Sequence, residues 1–202
     1  MTTGDTRLEI ETKIPLLDLD PGSLADRITE LGGIAKKPWH LRDGTLFDTP
    51  DQQLFRAGKL LRLGVANGIV SVTAKKRVAI EDGILIREEQ YFTVESSAST
   101  VAEVLKMLGY SPFFRYQKLA VTFVLPDQTK VAIDQTALGN FVEIEVLSTS
   151  LVMPAIKVRI IEVTQFLGLN PADFISQSYL ELQIAKCAKR GVPLEDCLLP
   201  KS

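Results

Sequence analysis

The sequence predicts an α+β fold, with about eight antiparallel strands and about four helices packed on the sheet. Three observations support this prediction. Several short segments alternate between charged and apolar residues, as strands with one apolar face do. Tight turns at residues 66–68 and 126–128 join some of these segments directly, which is typical of antiparallel hairpins. In other segments the apolar residues recur at helical spacing instead.

The strands are assigned from the alternating segments and from the turns that separate them. Leu8, Ile10 and Ile14 lie on one face of the first strand, and the Thr-Pro-Asp turn at 49–51 ends the second. Asn67 and Gly68 tolerate the positive φ that a two-residue hairpin turn requires. The predicted strands cover residues 7–15, 39–48, 59–65, 69–77, 84–94, 116–125, 129–135 and 140–147.

The helices follow from the spacing of apolar residues and from the Gly and Pro residues at their ends. Pro21 opens the first helix, in which Leu24, Ile28 and Leu31 share one side. Gly109 ends the second helix, and Gly168 separates the last two. The predicted helices cover residues 21–31, 97–108, 153–167 and 173–189.

Composition limits the function classes. The chain has 202 residues, of which 46% are hydrophobic, and we expect a single domain over residues 1–202 with its core at about 7–182 and a C-terminal helix and tail after it. A net charge of −2 gives no general attraction for nucleic acid or for an anionic membrane. No apolar run approaches the roughly 20 residues that span a bilayer, and the first residues are polar, so we expect a cytoplasmic protein. Cys187 and Cys197 have no metal-binding companions and are expected to be free thiols.

Charged residues occupy one face of most strands, and we call this face the ionic side. Glu9, Glu11 and Lys13 share it in the first strand, opposite Ile10 and Ile14. The same division recurs in later strands at Arg62, Thr73, Lys75, Arg77, Arg87, Glu89, Tyr91, Lys118, Thr122, Lys130, Asp134, Glu143 and Glu145. Two architectures explain it. An open sheet would show its ionic side to solvent, whereas a closed eight-stranded antiparallel β-barrel with helices outside would turn that side inward as a polar tunnel.

The kinds of charge favour the tunnel and indicate its ligands. Carboxylates crowded together repel one another, and a set of oxygen ligands suits Mg²⁺ or Mn²⁺. Basic residues spread over several strands suit an anion with many oxygens, because arginine binds phosphate through two parallel hydrogen bonds. A metal ion together with a polyphosphate would satisfy both sets.

An ordered series of motifs resembles the CYTH family, also called triphosphate tunnel metalloenzymes. The series begins with Glu9-x-Glu11-x-Lys13 and ends with Ser178-Tyr179-Leu180-Glu181, and thus covers nearly the whole chain. Between them lie Leu46-Phe47-Asp48-Thr49-Pro50, Leu60-Leu61-Arg62, Thr73-x-Lys75, Arg87-Glu88-Glu89, Phe114-Arg115-Tyr116-Gln117-Lys118, Asp134 and Gly139-x-Phe141-Val142-Glu143-Ile144-Glu145. The resemblance implies an eight-stranded β-tunnel that hydrolyses or cyclises a triphosphate with Mg²⁺ or Mn²⁺.

The resemblance also assigns roles to individual residues. It gives catalytic roles to Glu9, Glu11 and Lys13. Substrate phosphates would be bound by Lys13, Arg62, Lys75, Arg87 and Lys118, and metal would be held by Glu9, Glu11, Asp134, Glu143 and Glu145. Glu89 is expected to hold an arginine in place. The implied partner is a small molecule that contains a triphosphate.

Two positions depart from the family pattern. Gly64 and Ala120 stand where many members carry a second basic residue on the ionic side. At roughly 1.5–3 kcal/mol for each lost charge-assisted hydrogen bond, the two changes lower affinity for a triphosphate by on the order of hundreds-fold or more.

Three functions are therefore compared: a triphosphate hydrolase as the leading prediction, an adenylate cyclase of the same fold, and a non-catalytic module that binds polyphosphate or nucleotide. His40, the only histidine, is more simply a surface residue than a nucleotide contact. Three roles are considered for the tail from Ala185 to Ser202: closing the tunnel, forming a homodimer contact, or packing on the domain. Packing on the domain is the simplest interpretation.

Overall fold

A computed structural model describes residues 7–17, 19–148 and 153–198 of the chain. The strands are β1 (Arg7–Leu16), β2 (Ile34–Asp48), β3 (Lys59–Ala66), β4 (Ile69–Glu81), β5 (Ile84–Val94), β6 (Ser111–Val124), β7 (Lys130–Thr136) and β8 (Gly139–Ser148). The helices are α1 (Pro21–Glu30), α2 (Gln53–Arg56), α3 (Ala98–Met107), α4 (Met153–Phe166), α5 (Tyr179–Lys189) and α6 (Leu194–Cys197). A short 3-10 helix, Pro171–Asp173, precedes α5.

The strands in the described part of the chain form a closed barrel. Their hydrogen-bonded order is β1-β5-β4-β3-β2-β6-β7-β8, with β8 bonded back to β1. The pairs β1–β8, β2–β3, β3–β4 and β7–β8 are all antiparallel. The predicted closed eight-stranded antiparallel barrel in an α+β fold is confirmed, and the open sheet is excluded.

Most element boundaries agree with the prediction within a few residues, but several do not. Strand β4 ends at Glu81 rather than at residue 77, β6 begins at Ser111 rather than at residue 116, and α6 was not predicted. Strand β2 begins at Ile34 rather than at residue 39, and its first six residues are exposed, so they show no apolar alternation. Helix α5 begins at Tyr179 rather than at residue 173, because Ser178 and Glu181 form a capping box at its start. Helix α2, which has four residues, was not predicted.

The described residues group by their contacts into two compact units. Unit 1 lies within Met1–His40, Val78–Glu88 and Leu119–Ser176, and unit 2 lies within Leu41–Arg77, Glu89–Lys118 and Gln177–Ser202. Each unit is described by itself below. A single domain over the whole chain remains a prediction.

The core of unit 1 lies between the apolar sides of its strands and two helices. Ile10 and Ile14 of β1 pack with Leu24 of α1 and Ile160 of α4, and these side chains are almost completely buried. Burying a side chain of this size contributes about 1.5–3 kcal/mol, so α1 and α4 hold these strands with their apolar sides toward the helices. Because neighbouring residues of a strand point to opposite faces, Glu9, Glu11 and Lys13 are directed away from these helices.

Unit 2 has helices on both faces of its strands. Leu105 of α3 packs with Phe47, Leu63 and Val70 on one face. Leu180 of α5 packs with a second group of residues, Leu46, Phe114, Leu60 and Tyr116. Leu46 is opposite Arg62 in the β2–β3 register, so this second group lies on the ionic side. Helix α5 therefore covers part of the ionic side of unit 2.

The two cysteines are not free thiols as predicted. Cys187 in α5 and Cys197 in α6 form a disulfide with a Cα–Cα distance of 6.3 Å. The turn at Gly191, which adopts a positive φ of 67°, reverses the chain between the two helices and brings the sulfur atoms together.

Within the described residues, no helix is long and apolar enough to cross a membrane.

Candidate functional site

Arg87 links two carboxylates on the ionic side of unit 1. Its Nε donates to Oε2 of Glu9 at 3.0 Å, and its Nη2 donates to Oε1 of Glu11 at 2.7 Å. The side chain of Arg87 is 13% exposed and that of Glu9 is 4% exposed. Such charge-assisted bonds, shielded from water, are among the stronger polar interactions in proteins. They hold the first two residues of the Glu-x-Glu-x-Lys motif in fixed positions.

The strand register explains two further ion pairs. Lys13 is opposite Glu143 in the β1–β8 pair, and its Nζ lies 2.7 Å from Oε1 of Glu143. Lys130 is opposite Glu145 in the β7–β8 pair, at 2.6 Å. Glu145 is also opposite Glu11 across β1 and β8. Two like charges directly opposite each other are unfavourable, so their neutralisation by Lys130 and Arg87 is required for this register.

Burial by itself lowers the pKa of the Arg87 guanidinium, but the nearby carboxylates of Glu11, Glu9 and Glu143 outweigh it and raise the pKa well above its ordinary value. Arg87 is therefore a permanent positive charge. Its field extends to three carboxylates of the predicted site.

The donor chemistry of unit 1 fits a divalent cation. The described side chains on the ionic sides of β1, β5, β7 and β8 in this unit supply five carboxylates, Glu9, Glu11, Asp134, Glu143 and Glu145, and three cations, Lys13, Arg87 and Lys130. The donor atoms of these carboxylates are all oxygens, as Mg²⁺ or Mn²⁺ prefers. Asp134 is completely buried.

The carboxylates are arranged as ion pairs rather than as a ready set of metal ligands. Among the residues that the structure describes, no three His, Cys, Asp or Glu side chains are grouped so that they could hold a metal ion. The metal roles predicted for the five carboxylates stay predictions.

The ionic side of unit 2 carries Arg62, which donates hydrogen bonds to two hydroxyl groups. Its Nη1 donates to the hydroxyl of Tyr116 at 3.3 Å, and its Nη2 donates to Oγ1 of Thr73 at 3.2 Å. Thr73 is opposite Arg62 in the β3–β4 register, which places its hydroxyl beside the guanidinium. Gly44 makes room for the tyrosine, since a Cβ at this position would lie 2.4 Å from the ring carbon Cζ of Tyr116.

Two lysines lie on the same side of unit 2. Lys75 forms an ion pair with Glu89 at 3.4 Å. Glu89 was expected to hold an arginine, and the ion pair described here is to a lysine. Lys118 lies with its Nζ 5.3 Å from the centre of the Tyr179 ring, within the range of a cation–π interaction. Both lysine side chains are buried.

The sequence did not identify Tyr116 and Tyr179 as site residues. Both lie in motifs that carry the family resemblance, but an aromatic residue at such positions is more often part of a core. His40 is buried rather than at the surface, and its Nδ1 is 2.8 Å from the carbonyl oxygen of Pro38. At the two departures from the family pattern, a Cβ at Gly64 would lie 2.9 Å from Oγ of Ser71, and Ala120 is completely buried.

Comparison with known families identifies the fold. The profile of the CYTH domain matches residues 7–179. The chain belongs to the CYTH family. The match begins at β1 and ends at the first residue of α5, so it contains every residue predicted for the site. No sequence among the curated proteins matches this CYTH chain.

Solved structures similar to this CYTH protein share its fold. A proposed adenylate cyclase from Vibrio parahaemolyticus is 18% identical, with a TM-score of 0.76 over 87% of this chain and 97% of that one. The PH1819 protein from Pyrococcus horikoshii is 21% identical, with a TM-score of 0.73 over 88% and 99%. HpAC1 from Hippeastrum, a proposed adenylyl cyclase described as having a dominant triphosphatase activity, is 16% identical, with a TM-score of 0.62 over 94% and 99%.

Proposed function

We propose that this CYTH protein is a divalent-metal-dependent hydrolase of a triphosphate, either inorganic tripolyphosphate or an organic triphosphate. The observation that carries the proposal is the network on the ionic side of unit 1, where Arg87 is held by Glu9 and Glu11, and Lys13 by Glu143. Five carboxylates lie on the same side of this unit, and their oxygens are the ligands that Mg²⁺ or Mn²⁺ prefers.

The basic residues of the site are proposed to bind the phosphate oxygens. Arg87 and Lys13 of unit 1 would exchange carboxylate oxygens for phosphate oxygens, which offer the same charge and hydrogen-bond geometry. We propose the same role for Arg62, Lys75 and Lys118 of unit 2. Positive charge fixed around the terminal phosphate stabilises the negative charge that develops as the phosphoryl group is transferred.

The five carboxylates of unit 1 are proposed to hold the metal. Glu9, Glu11, Asp134, Glu143 and Glu145 supply the oxygens for Mg²⁺ or Mn²⁺, which when bound neutralises phosphoryl charge and lowers the pKa of water. A carboxylate of this set orients the attacking water. The water oxygen bonds to the terminal phosphorus while the bond to the bridging oxygen breaks, and diphosphate leaves if the substrate is tripolyphosphate.

Two features favour binding without turnover as a second candidate. Gly64 and Ala120 stand where many CYTH proteins carry basic residues, so this chain has two fewer positive charges with which to bind phosphate. Cyclic AMP formed from ATP would instead assign the protein as a cyclase.

The test is phosphate release from tripolyphosphate, ATP and thiamine triphosphate with Mg²⁺ or Mn²⁺. Glu11→Ala should reduce the rate by roughly 100-fold or more, as loss of a group that acts in the transition state does. Glu103→Ala is the matched control, because Glu103 is on α3 and 67% exposed, paired only with its helix neighbour Lys106 among the ion pairs described. Activity unchanged by Glu11→Ala would overturn the proposal. Calorimetric binding with no turnover in any divalent metal would favour the binding module.

A further inference from the structure

Two tyrosines of unit 2 connect α5 to the predicted phosphate-binding cations. Tyr179 is the first residue of α5, and its ring centre lies 5.8 Å from that of Tyr116. Tyr179 also lies beneath the Lys118 ammonium, and the Tyr116 hydroxyl accepts a hydrogen bond from Arg62. One pair of aromatic rings thus contacts both cations.

Aromatic partners position a cation in a way that suits a polyanion site. A tyrosine ring or hydroxyl restricts the orientation of a cation in contact with it and leaves its formal charge unchanged. The bonds from Arg62 to Tyr116 and Thr73 fix the direction of its guanidinium group.

Local structure fixes both tyrosines. Ser178 and Glu181 cap the first turn of α5, and Oε1 of Glu181 accepts a hydrogen bond from Nη2 of Arg77 at 2.6 Å, which ties this turn to β4. Tyr179 is therefore held at the point where the helix meets the sheet. Tyr116 is held by the space that Gly44 leaves and by stacking on Phe114, with ring centres 6.1 Å apart.

We propose that Tyr116 and Tyr179 are positioning residues for the polyphosphate, with Tyr179 orienting Lys118 and Tyr116 orienting Arg62. This inference rests on the proposed function, since it assumes that these cations bind phosphate. It adds that α5, which covers part of the ionic side of unit 2, contributes to the affinity for the polyanion through Tyr179 and its contact with Tyr116 of β6.

The test measures binding of tripolyphosphate by calorimetry without metal. Tyr179→Leu removes the ring and should weaken binding by roughly 2- to 30-fold, the range of a cation–π interaction. Tyr179→Phe keeps the ring and should bind within about twofold of wild type. Tyr116→Phe keeps the ring but loses the hydrogen bond to Arg62, and should weaken binding by about 3- to 10-fold. Tyr110→Leu is the control, because Tyr110 packs in the other core of unit 2.

Double substitutions separate positioning from general support of the fold. In a Lys118→Met background, Tyr179→Leu should cause no further loss of binding, because the cation that it orients is gone. The same holds for Tyr116→Phe in an Arg62→Gln background. Near-UV circular dichroism and the thermal midpoint of each variant confirm that it is folded.

Three results would overturn the inference, and they are distinguishable. If the wild-type protein does not bind tripolyphosphate with or without metal, the proposed function fails together with the inference. If the wild type binds and Tyr179→Leu and Tyr116→Phe bind equally well, the inference alone fails. If Tyr179→Leu weakens binding as strongly in the Lys118→Met background, the tyrosine supports the fold and does not position Lys118.

Discussion

Replacing Arg87 with glutamine should destabilise the protein strongly. The substitution leaves Glu9 and Glu11, whose side chains are 4% and 12% exposed, without the guanidinium that donates to both at 2.7–3.0 Å. Removing one partner of a buried ion pair costs about 3–5 kcal/mol, because the remaining charge is neither hydrated nor neutralised. For a chain of this length, that corresponds to a decrease of roughly 6–20 °C in the midpoint of thermal unfolding.

Urea unfolding at neutral pH measures the effect, and the series contains its own controls. Arg87→Lys keeps the charge but cannot form the forked contact, so its loss should be smaller. Arg159→Gln removes a cation whose pair with Asp127 is about one-third exposed, and should cost about 1 kcal/mol or less. Millimolar Mn²⁺ should stabilise Arg87→Gln more than wild type, since the freed carboxylates can then bind the metal. A loss below about 1 kcal/mol for Arg87→Gln would refute the reasoning.

Three other substitutions test particular contacts. Gly44→Ala should lower the free energy of unfolding by about 1–3 kcal/mol, because the new Cβ would overlap the Tyr116 ring; an unchanged urea midpoint would contradict this. Burial by itself raises the pKa of Glu181, but hydrogen bonds from Ser178 and Arg77 outweigh burial and lower the pKa below its ordinary 4.5. The ionised carboxylate therefore stabilises the folded state. This contribution is fully present above pH 4.5 and is lost as the pH falls through the lowered pKa. Glu181→Gln should therefore flatten the acid limb of a plot of unfolding free energy against pH, and an unaltered limb would count against the assignment. Replacing Cys187 and Cys197 with serine should cost about 2–3 kcal/mol for a crosslink that closes a loop of 10 residues, and reduced wild type should lose a similar amount.

Much of the fold follows from one feature of the sequence, the separation of charged and apolar residues on opposite faces of each strand. Where a strand has an apolar face buried by helices, as at Ile10 and Ile14, the alternation located it correctly. Where both faces are exposed, as at the start of β2 from Ile34, no alternation exists and the strand was predicted too short. The start of α5 was predicted too early because apolar residues continue before it, although the Ser178 and Glu181 capping box was present in the sequence.

The residues of the candidate site were also predicted from the ionic sides, but their partners were not. Alternation places Glu9 and Arg87 on ionic sides, yet their contact depends on β1 and β5 being neighbours, and periodicity carries no information on strand order. The disulfide was missed because the expectation rested on the residues around each cysteine in the sequence. The pairing depends instead on the turn at Gly191, which reverses the chain.

The pairing of β1 with β8 has a consequence for synthesis of the protein. Leu8 pairs with Ser148, so one edge of β1 has no strand partner during synthesis until residue 148 has been added to the chain. At 5–20 residues per second, the wait is roughly 7–30 s. The unpaired N–H and C=O groups of a strand edge can form hydrogen bonds with another nascent chain, and charged side chains on the strand disfavour this pairing. We therefore expect Glu9, Glu11 and Lys13 to reduce aggregation of the incomplete chain, apart from any role in the folded protein.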